Sequence, residues 1–324
     1  MRSISQRPTA CIGLPERVVL PPLRLFFKLV DRRKRQKLAS LPGAAKLYGY
    51  LAARLLPRKQ DNELIPVNLH GFRMYLDPEE LPGRLGAFCW GEYEPTTTWV
   101  FRELLSEGDV VVDAGAHWGY FTLLASRLSG ARGHVFAFEP HPRNYTILTK
   151  NILANGLDNI TAIQKAVSDQ TGTVSLNTSR TTVGHSIFAV PPQPRMDGEA
   201  EMKIAVEAIS LDAFFSGTAI QPKLVKIDIE GAESLALAGM HNLISRNPGL
   251  MIILELNPTL LSEHSSAHHL DDLAKFGFQF ILIDDESRRL QQATKQDMVA
   301  KISQKVLCNL LCARENGIIR KLAR

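Results

Sequence analysis

The sequence predicts an α/β fold built on a doubly wound, mostly parallel sheet. Three observations predict it. The first is the stretch 109–120, Asp-Val-Val-Val-Asp-Ala-Gly-Ala-His-Trp-Gly-Tyr, where a β-branched run meets an aspartate and two glycines. Helical spacing follows from Tyr120 to Leu128. The second is regular alternation of short apolar runs with amphipathic helical runs from residue 110 to 167, resuming at 224. The third is Glu139, an acid ending the second of those runs, 26 residues after Asp113.

Residues 1–60 are read as a basic helical extension and residues 61–324 as the catalytic-type domain. From Leu23 the spacing is amphipathic, with Leu23, Phe26, Phe27 and Val30 on one face, and Arg32, Arg33, Lys34, Arg35 and Lys37 follow at once. Arg24 and Lys28 exclude a membrane span there, while peripheral contact through residues 20–37 fits, as does a solvated cap helix. A second helix covers roughly Ala44 to Leu56. Asn62 to Asp77 reads as a hairpin turning at Gly71, and Thr96 to Leu105 as a helix stopped by Gly108.

The organising strand comes next, then Val135 to Phe138 as a strand and about Arg143 to Ala154 as a helix closed by Asn155-Gly156. Ile160 to Val167 is a third strand. Thr171 to Ala189 breaks the pattern as a hairpin or loop insertion, Pro191 to Gly198 is a polar loop, and Val206 to Leu211 is a short strand running into a helical turn. The alternation resumes with Leu224 to Ile229, a helix from Ala232 to Ser245 and a strand from Leu250 to Leu256. A helix near Ala267 to Phe276 and strands at Phe280 to Ile283 and Val306 to Cys312 complete the prediction.

Composition narrows the function classes. The chain has 324 residues, 45% hydrophobic and 22% charged, enough for a substantial core. Cys11, Cys89, Cys308 and Cys312 are too few and scattered for a disulfide framework, which fits a reducing cytoplasm, and the last two read as buried strand thiols. The net charge of +5 is uneven: residues 1–60 hold fourteen Lys or Arg against Glu16 and Asp31, so the remainder is at −7. The high isoelectric point describes the arm alone, and no nucleic-acid partner is expected for the core.

The glycine turn carries the first chemistry. Asp113, Gly115, Ala116, His117, Gly119 and Tyr120 sit where an open α/β sheet presents a ligand cradle. Gly115 is expected to let the backbone approach a ligand, Gly119 to let the helix pack on the strand, and the opening N–H groups to meet an anion or carboxylate. The pattern is Asp-x-Gly-x-x-x-Gly, with His117 in place of the middle glycine of dinucleotide binders and bulky Tyr120 and Phe121 opening the helix. That favours a ligand ending in an amino acid, S-adenosyl-L-methionine, over one with a pyrophosphate. Glu139 is placed to accept hydrogen bonds from both ribose hydroxyls; a helix-capping acid is the plain alternative.

The block 224–233, Leu-Val-Lys-Ile-Asp-Ile-Glu-Gly-Ala-Glu, carries the second. Strand alternation puts Lys226, Asp228 and Glu230 on one face, with Lys226 as a structural counter-ion, while Glu233 suits a helix's first turn. Asp228 is the first candidate to take an acceptor's proton, with Glu230 and His185 competing. Asp228, Glu255 and Asn257 end adjacent strands with oxygen donors that suit Mg²⁺, although no metal set is assigned. His264, His268 and His269 read as a solvated polar loop rather than a zinc site.

With those residues stated, the chain resembles the FkbM family of S-adenosylmethionine-dependent methyltransferases. The resemblance lies in 113–122, Phe-Glu-Pro at 138–140, 224–233 and Ile-Leu-Glu-Leu at 253–256, with Gly-Glu-Tyr-Glu-Pro at 91–95 upstream. It covers about residues 64–314 and says nothing of the arm. It implies a Rossmann-like class I methyltransferase fold and O-methylation of a small-molecule or glycan hydroxyl. It also implies that Val-Gly-His-Ser at 183–186, with His185, lies in a substrate loop. Two rivals stand beside it: an NAD(P)-dependent oxidoreductase, which needs the pyrophosphate space His117 occupies, and a non-catalytic scaffold whose arm holds the function.

Overall fold

The structure is a computed structural model and describes residues 64–77, 93–178, 202–257, 270–285, 287–304, 307–314 and 322. The arm with residues 20–37, the helix expected at 44–56, His185 and the histidines at 264, 268 and 269 lie outside the described residues.

The chain opens on a hairpin, β1 (Ile65–Leu69) and β2 (Phe72–Leu76), antiparallel and turning at Gly71 as the sequence predicts. Helix α1 (Pro95–Leu104) leads to β3 (Val110–Ala114), α2 (Tyr120–Ser129), β4 (His134–Phe138), α3 (Pro142–Ala154) and β5 (Ile160–Ile163). These follow the prediction within two residues, except that the third strand stops at Ile163 instead of Val167. Ala166–Val167 forms β6, which leaves the main sheet for a three-stranded one with β7 (Gly172–Thr178) and β8 (Met202–Ile209), in the order β6-β8-β7. The expected insertion is thus a strand paired antiparallel with β8 over its described part.

After α4 (Leu211–Phe214) comes β9 (Leu224–Ile227), shorter than expected. The predicted helix from Ala232 to Ser245 is broken into α5 (Glu233–Ala238) and α6 (His241–Arg246). The break has a tertiary cause. A Cβ on Gly239 would lie 2.1 Å from the Ser168 carbonyl oxygen, so the chain passes that backbone only as glycine. Then follow β10 (Met251–Leu256), helical residues 270–275, β11 (Gln279–Asp284), β12 (Arg289–Ala293), α7 (Lys295–Ser303) and β13 (Cys308–Ala313). The pair β12 and α7 was not predicted.

The main sheet has eight strands in the order β12-β11-β13-β10-β9-β3-β4-β5. From β10 to β5 all pairings are parallel, while β13 runs antiparallel between β10 and β11. Each central strand feeds two cores. Val111, Val135, Leu224 and Ile253 pack on one side of the sheet with α1 and α2. Val112, Phe138, Val225 and Ile252 pack on the other with α4 to α6. Burial on both faces is why these segments read as unbroken apolar runs. Among the described residues no helix is long and apolar enough to cross a membrane. Cys308 and Cys312 are buried free thiols of β13, as expected, and burial pushes the Cys308 thiol up to about 11.

Candidate functional site

The parallel strands end at one edge of the sheet, and the order of strands switches sides between β3 and β9, leaving a crevice outside their carboxyl ends. One cavity there takes in Asp113, Gly115, His117, Glu139, Lys226 and Asp228. Ala116, Gly119's neighbours Trp118 and Tyr120, and Glu230 line the same cavity. Of the sequence-predicted site residues that are described, all but Gly119 line this cavity.

The glycine turn is built differently from expectation. Gly115 (φ 85°) faces no ligand across its missing Cβ; a Cβ there would sit 1.8 Å from the Asp228 carbonyl oxygen. This close approach docks the turn on the end of β9, reinforced by the Asp228 N–H donating to the Ala114 carbonyl at 3.0 Å. Gly119 (φ 90°) makes room for Leu148 of α3, not for the strand. His117 adopts the left-handed conformation a glycine would take (φ 51°), a strain of about 1–3 kcal/mol for a side-chain-bearing residue. Its N–H donates to Glu139 Oε2 at 2.8 Å, which holds it there.

Within the turn, Gly115 and Ala116 donate to the Phe138 carbonyl, His117 to Glu139 and Gly119 to the Ala116 carbonyl, which fixes its shape. The helix it opens, α2, has no side-chain cap at its start.

Glu139 is 4% exposed and accepts at both oxygens, from His117 N–H and from His141 N–H at 2.9 Å. Two backbone donors thus fix the direction in which the carboxylate points. Asp113, 2% exposed, accepts from the Thr122 hydroxyl at 2.6 Å through Oδ2, while Oδ1 is buried with no partner. Burial raises its pKa above the ordinary value, against the pull of Lys226 and Thr122. An orphaned buried acceptor in a crevice points to a donor supplied by a ligand.

On the β9 side, Lys226 donates to Asp228 Oδ2 at 2.6 Å and stacks over the Phe121 ring at 5.0 Å. The sequence expected this counter-ion. Burial opposes its charge, but Asp228, then Asp113 and Glu94, outweigh burial and hold the ammonium above its usual range. Strand alternation does not place Glu230, because β9 ends at Ile227. A left-handed turn at Glu230 (φ 52°) and Gly231 brings it round instead. There Asp228, Glu230 and Glu255 bring carboxylate oxygens within 4.8 Å of one another. Asn257, which the sequence set beside Asp228 and Glu255, donates Nδ2 to Glu230 at 3.4 Å. Burial, then Asp228 and Glu230, raises the Glu255 pKa well above its usual value.

Glu233 opens α5 and accepts from the Gly231 N–H at 3.0 Å, the structural role expected of it, with its pKa pushed up to about 7 by burial. Sequence reasoning missed three residues. Glu94, left-handed at φ 39°, is bonded by Asn309 Nδ2 at 3.3 Å and bears electrostatically on Lys226 and Glu255. Its signal was the Glu94-Pro95 helix start. Asn309 gave none. Asn144 lines the cavity from α3.

With that geometry in place, comparison with known proteins is informative. The family described as "Methyltransferase FkbM domain" matches residues 113–280. Methyltransferase sdnD of Sordaria araneosa is 31% identical over 127 residues, 39% of this chain and 46% of that protein. Hexuronic acid methyltransferase AglP of Haloferax volcanii is 31% identical over 147 residues, 44% of this chain and 56% of that protein. The chain thus matches about half the length of these curated relatives. Among solved structures, precorrin-6y C5,15-methyltransferase from Geobacter metallireducens aligns with a TM-score of 0.39 at 14% identity, covering 69% of this chain and 88% of that one.

Proposed function

The chain belongs to the FkbM family of methyltransferases, and from that premise we propose that it moves a methyl group from S-adenosyl-L-methionine to a hydroxyl of a small molecule or sugar. The observation that carries the reading is one cavity joining an aimed ribose-type acceptor, Glu139, an orphaned buried carboxylate, Asp113, and the Lys226–Asp228 pair. The residues present fit the cofactor. Glu139 is aimed as an acceptor for the ribose, Asp113 Oδ1 offers an acceptor to a donor or cation, and the 115–120 turn shapes the wall.

When bound, the cofactor supplies a methyl carbon on a positively charged sulfur. This chain's residues would have to orient the acceptor hydroxyl toward that group and receive the hydroxyl proton. Asp228, oriented by Lys226 at the strand end, is the first candidate to take it, and Glu230 is the next. His185 remains a candidate on sequence grounds. The name of AglP supports a sugar acceptor. Here the acceptor side already bears Asp228, Glu230 and Glu255, which favours neutral hydroxyls. The same three oxygens would suit Mg²⁺; restoration of turnover by Mg²⁺ after EDTA treatment tests that.

Two parts of the reading rest on sequence alone: the division at residue 60, and a cytoplasmic protein whose residues 20–37 touch the membrane's inner face. Co-sedimentation with anionic vesicles, lost when the Arg32–Lys37 cluster is neutralised, tests the second. The central test is calorimetry with S-adenosylhomocysteine and with NAD⁺. Micromolar binding of the first, lost in an Asp113→Ala, Glu139→Ala double variant and absent for NAD⁺, is expected. Binding of NAD⁺ alone would overturn the reading in favour of an oxidoreductase; binding of neither would favour the non-catalytic scaffold.

A further inference from the structure

Helix α3 buries one stripe, Asn144, Ile147, Leu148, Asn151 and Ile152, and two asparagines on it are treated in opposite ways. Asn151 is fully buried and fully used. Its Nδ2 donates to the carbonyls of Trp118 (2.8 Å) and Tyr75 (3.2 Å), and its Oδ1 accepts from the Tyr75 N–H at 2.6 Å. Asn144, two turns earlier and 1% exposed, has a buried Oδ1 with no partner. Leaving a buried amide oxygen unbonded costs about 1–3 kcal/mol, and a native fold keeps such a group where something absent from the free chain satisfies it.

Its position says what that is. Leu148, one turn on, fills the space at Gly119, so the stripe faces the 116–119 turn. Asn144 lies on the same stripe nearer the start of α3 and lines the cavity with His117 and Glu139. His141, three residues before it, gives its N–H to Glu139 Oε1. The orphaned amide therefore stands on the Glu139 side of the cavity, away from the β10 carboxylates. We infer that Asn144 is a second reader of the cofactor ribose, its amide bonding one ribose hydroxyl while Glu139 holds the other. A hydroxyl both donates and accepts, so it satisfies either orientation of the amide.

The inference rests on the S-adenosylmethionine reading and is tested by binding, without turnover. Calorimetry would compare S-adenosylhomocysteine with its 2′-deoxy and 3′-deoxy analogues, on the full wild-type chain and on Asn144→Leu. The variant is expected to bind S-adenosylhomocysteine about tenfold more weakly. For one of the two deoxy analogues, wild type and variant should differ by less than about twofold, because the bond in question is already gone. Equal binding of S-adenosylhomocysteine by both chains overturns the inference, as does an equal loss for all three ligands, which marks a packing role. Failure of wild type to bind S-adenosylhomocysteine at all would instead remove the functional reading on which this rests. If Asn144→Leu does not fold, Asn144→Ala takes the same comparisons with the same expectations.

Discussion

Along one edge of one sheet, two groups of acids are held in opposite ways. At the ends of β3 and β4, Asp113 and Glu139 stand apart and each is gripped by fixed donors: the Thr122 hydroxyl, and the N–H groups of His117 and His141. At the ends of β9 and β10, Asp228, Glu230 and Glu255 crowd within 4.8 Å with Lys226 as the buried cation among them. The first half is organised for shape and the second for charge. A carboxylate aimed by N–H groups presents lone pairs in fixed directions, as binding requires. In the second group burial, then Asp228 and Glu230, raise the proton affinity of Glu255, while Lys226 pairs directly with Asp228.

Lys226→Met should break the contrast most severely. It leaves buried Asp113 and half-buried Asp228 without their cation, and a loss of about 3–5 kcal/mol is expected in urea unfolding. Asp228→Asn should separate the halves functionally. Turnover should fall about 10²–10⁴-fold once an acceptor is found, while calorimetry shows S-adenosylhomocysteine affinity nearly unchanged. Near-normal turnover would move the base to Glu230 or His185. Glu139→Gln tests the shape half. The amide nitrogen would oppose one of the two N–H groups, so about 1–3 kcal/mol of stability and most cofactor affinity should be lost.

Glu233, beneath the charged half, gives the pH signature. Its pKa is pushed up to about 7 from an ordinary 4.5. Between those values the folded chain holds a proton the unfolded chain has released, so stability falls as pH rises through the window and levels off above it. Glu233→Gln should flatten this part of the urea-midpoint profile, and an unchanged profile would count against it. Glu255→Gln should have the smallest effect, a gain in stability of up to about 1 kcal/mol, read as a small rise in the thermal midpoint. It relieves like-charge crowding where Glu139→Gln destroys a fit.

Much of this was legible in the sequence because parallel strands buried on both faces leave long apolar runs, and because acids ending such runs fall at one edge of the sheet. Asp113, Glu139 and Asp228 were found that way. What was not legible depends on distant partners. The break at Gly239 is imposed by the Ser168 backbone, and Glu230 arrives by a left-handed turn that alternation cannot anticipate. Strand β12 is mostly exposed and has no apolar run to announce it. Asn144 looks in sequence like any polar residue of a first helical turn; only its burial without a partner distinguishes it.

The placement of β13 has a consequence for the order in which the molecule is made. In the main sheet β11 pairs with β12 and β13 and never touches β10, so the β11–β12 hairpin stays unmoored until Cys308–Ala313 slides between them. Asp285, just past β11, is the residue that receives the Thr96 and Thr97 N–H groups opening α1. A ribosome therefore releases α1 and the strand ends bearing Glu139 and Asp228 long before they can be locked. The strand β13 joins the β11–β12 hairpin to β10 and brings Asn309 to Glu94. The crevice is finished from its far end, by a segment that touches none of the residues proposed to hold the cofactor.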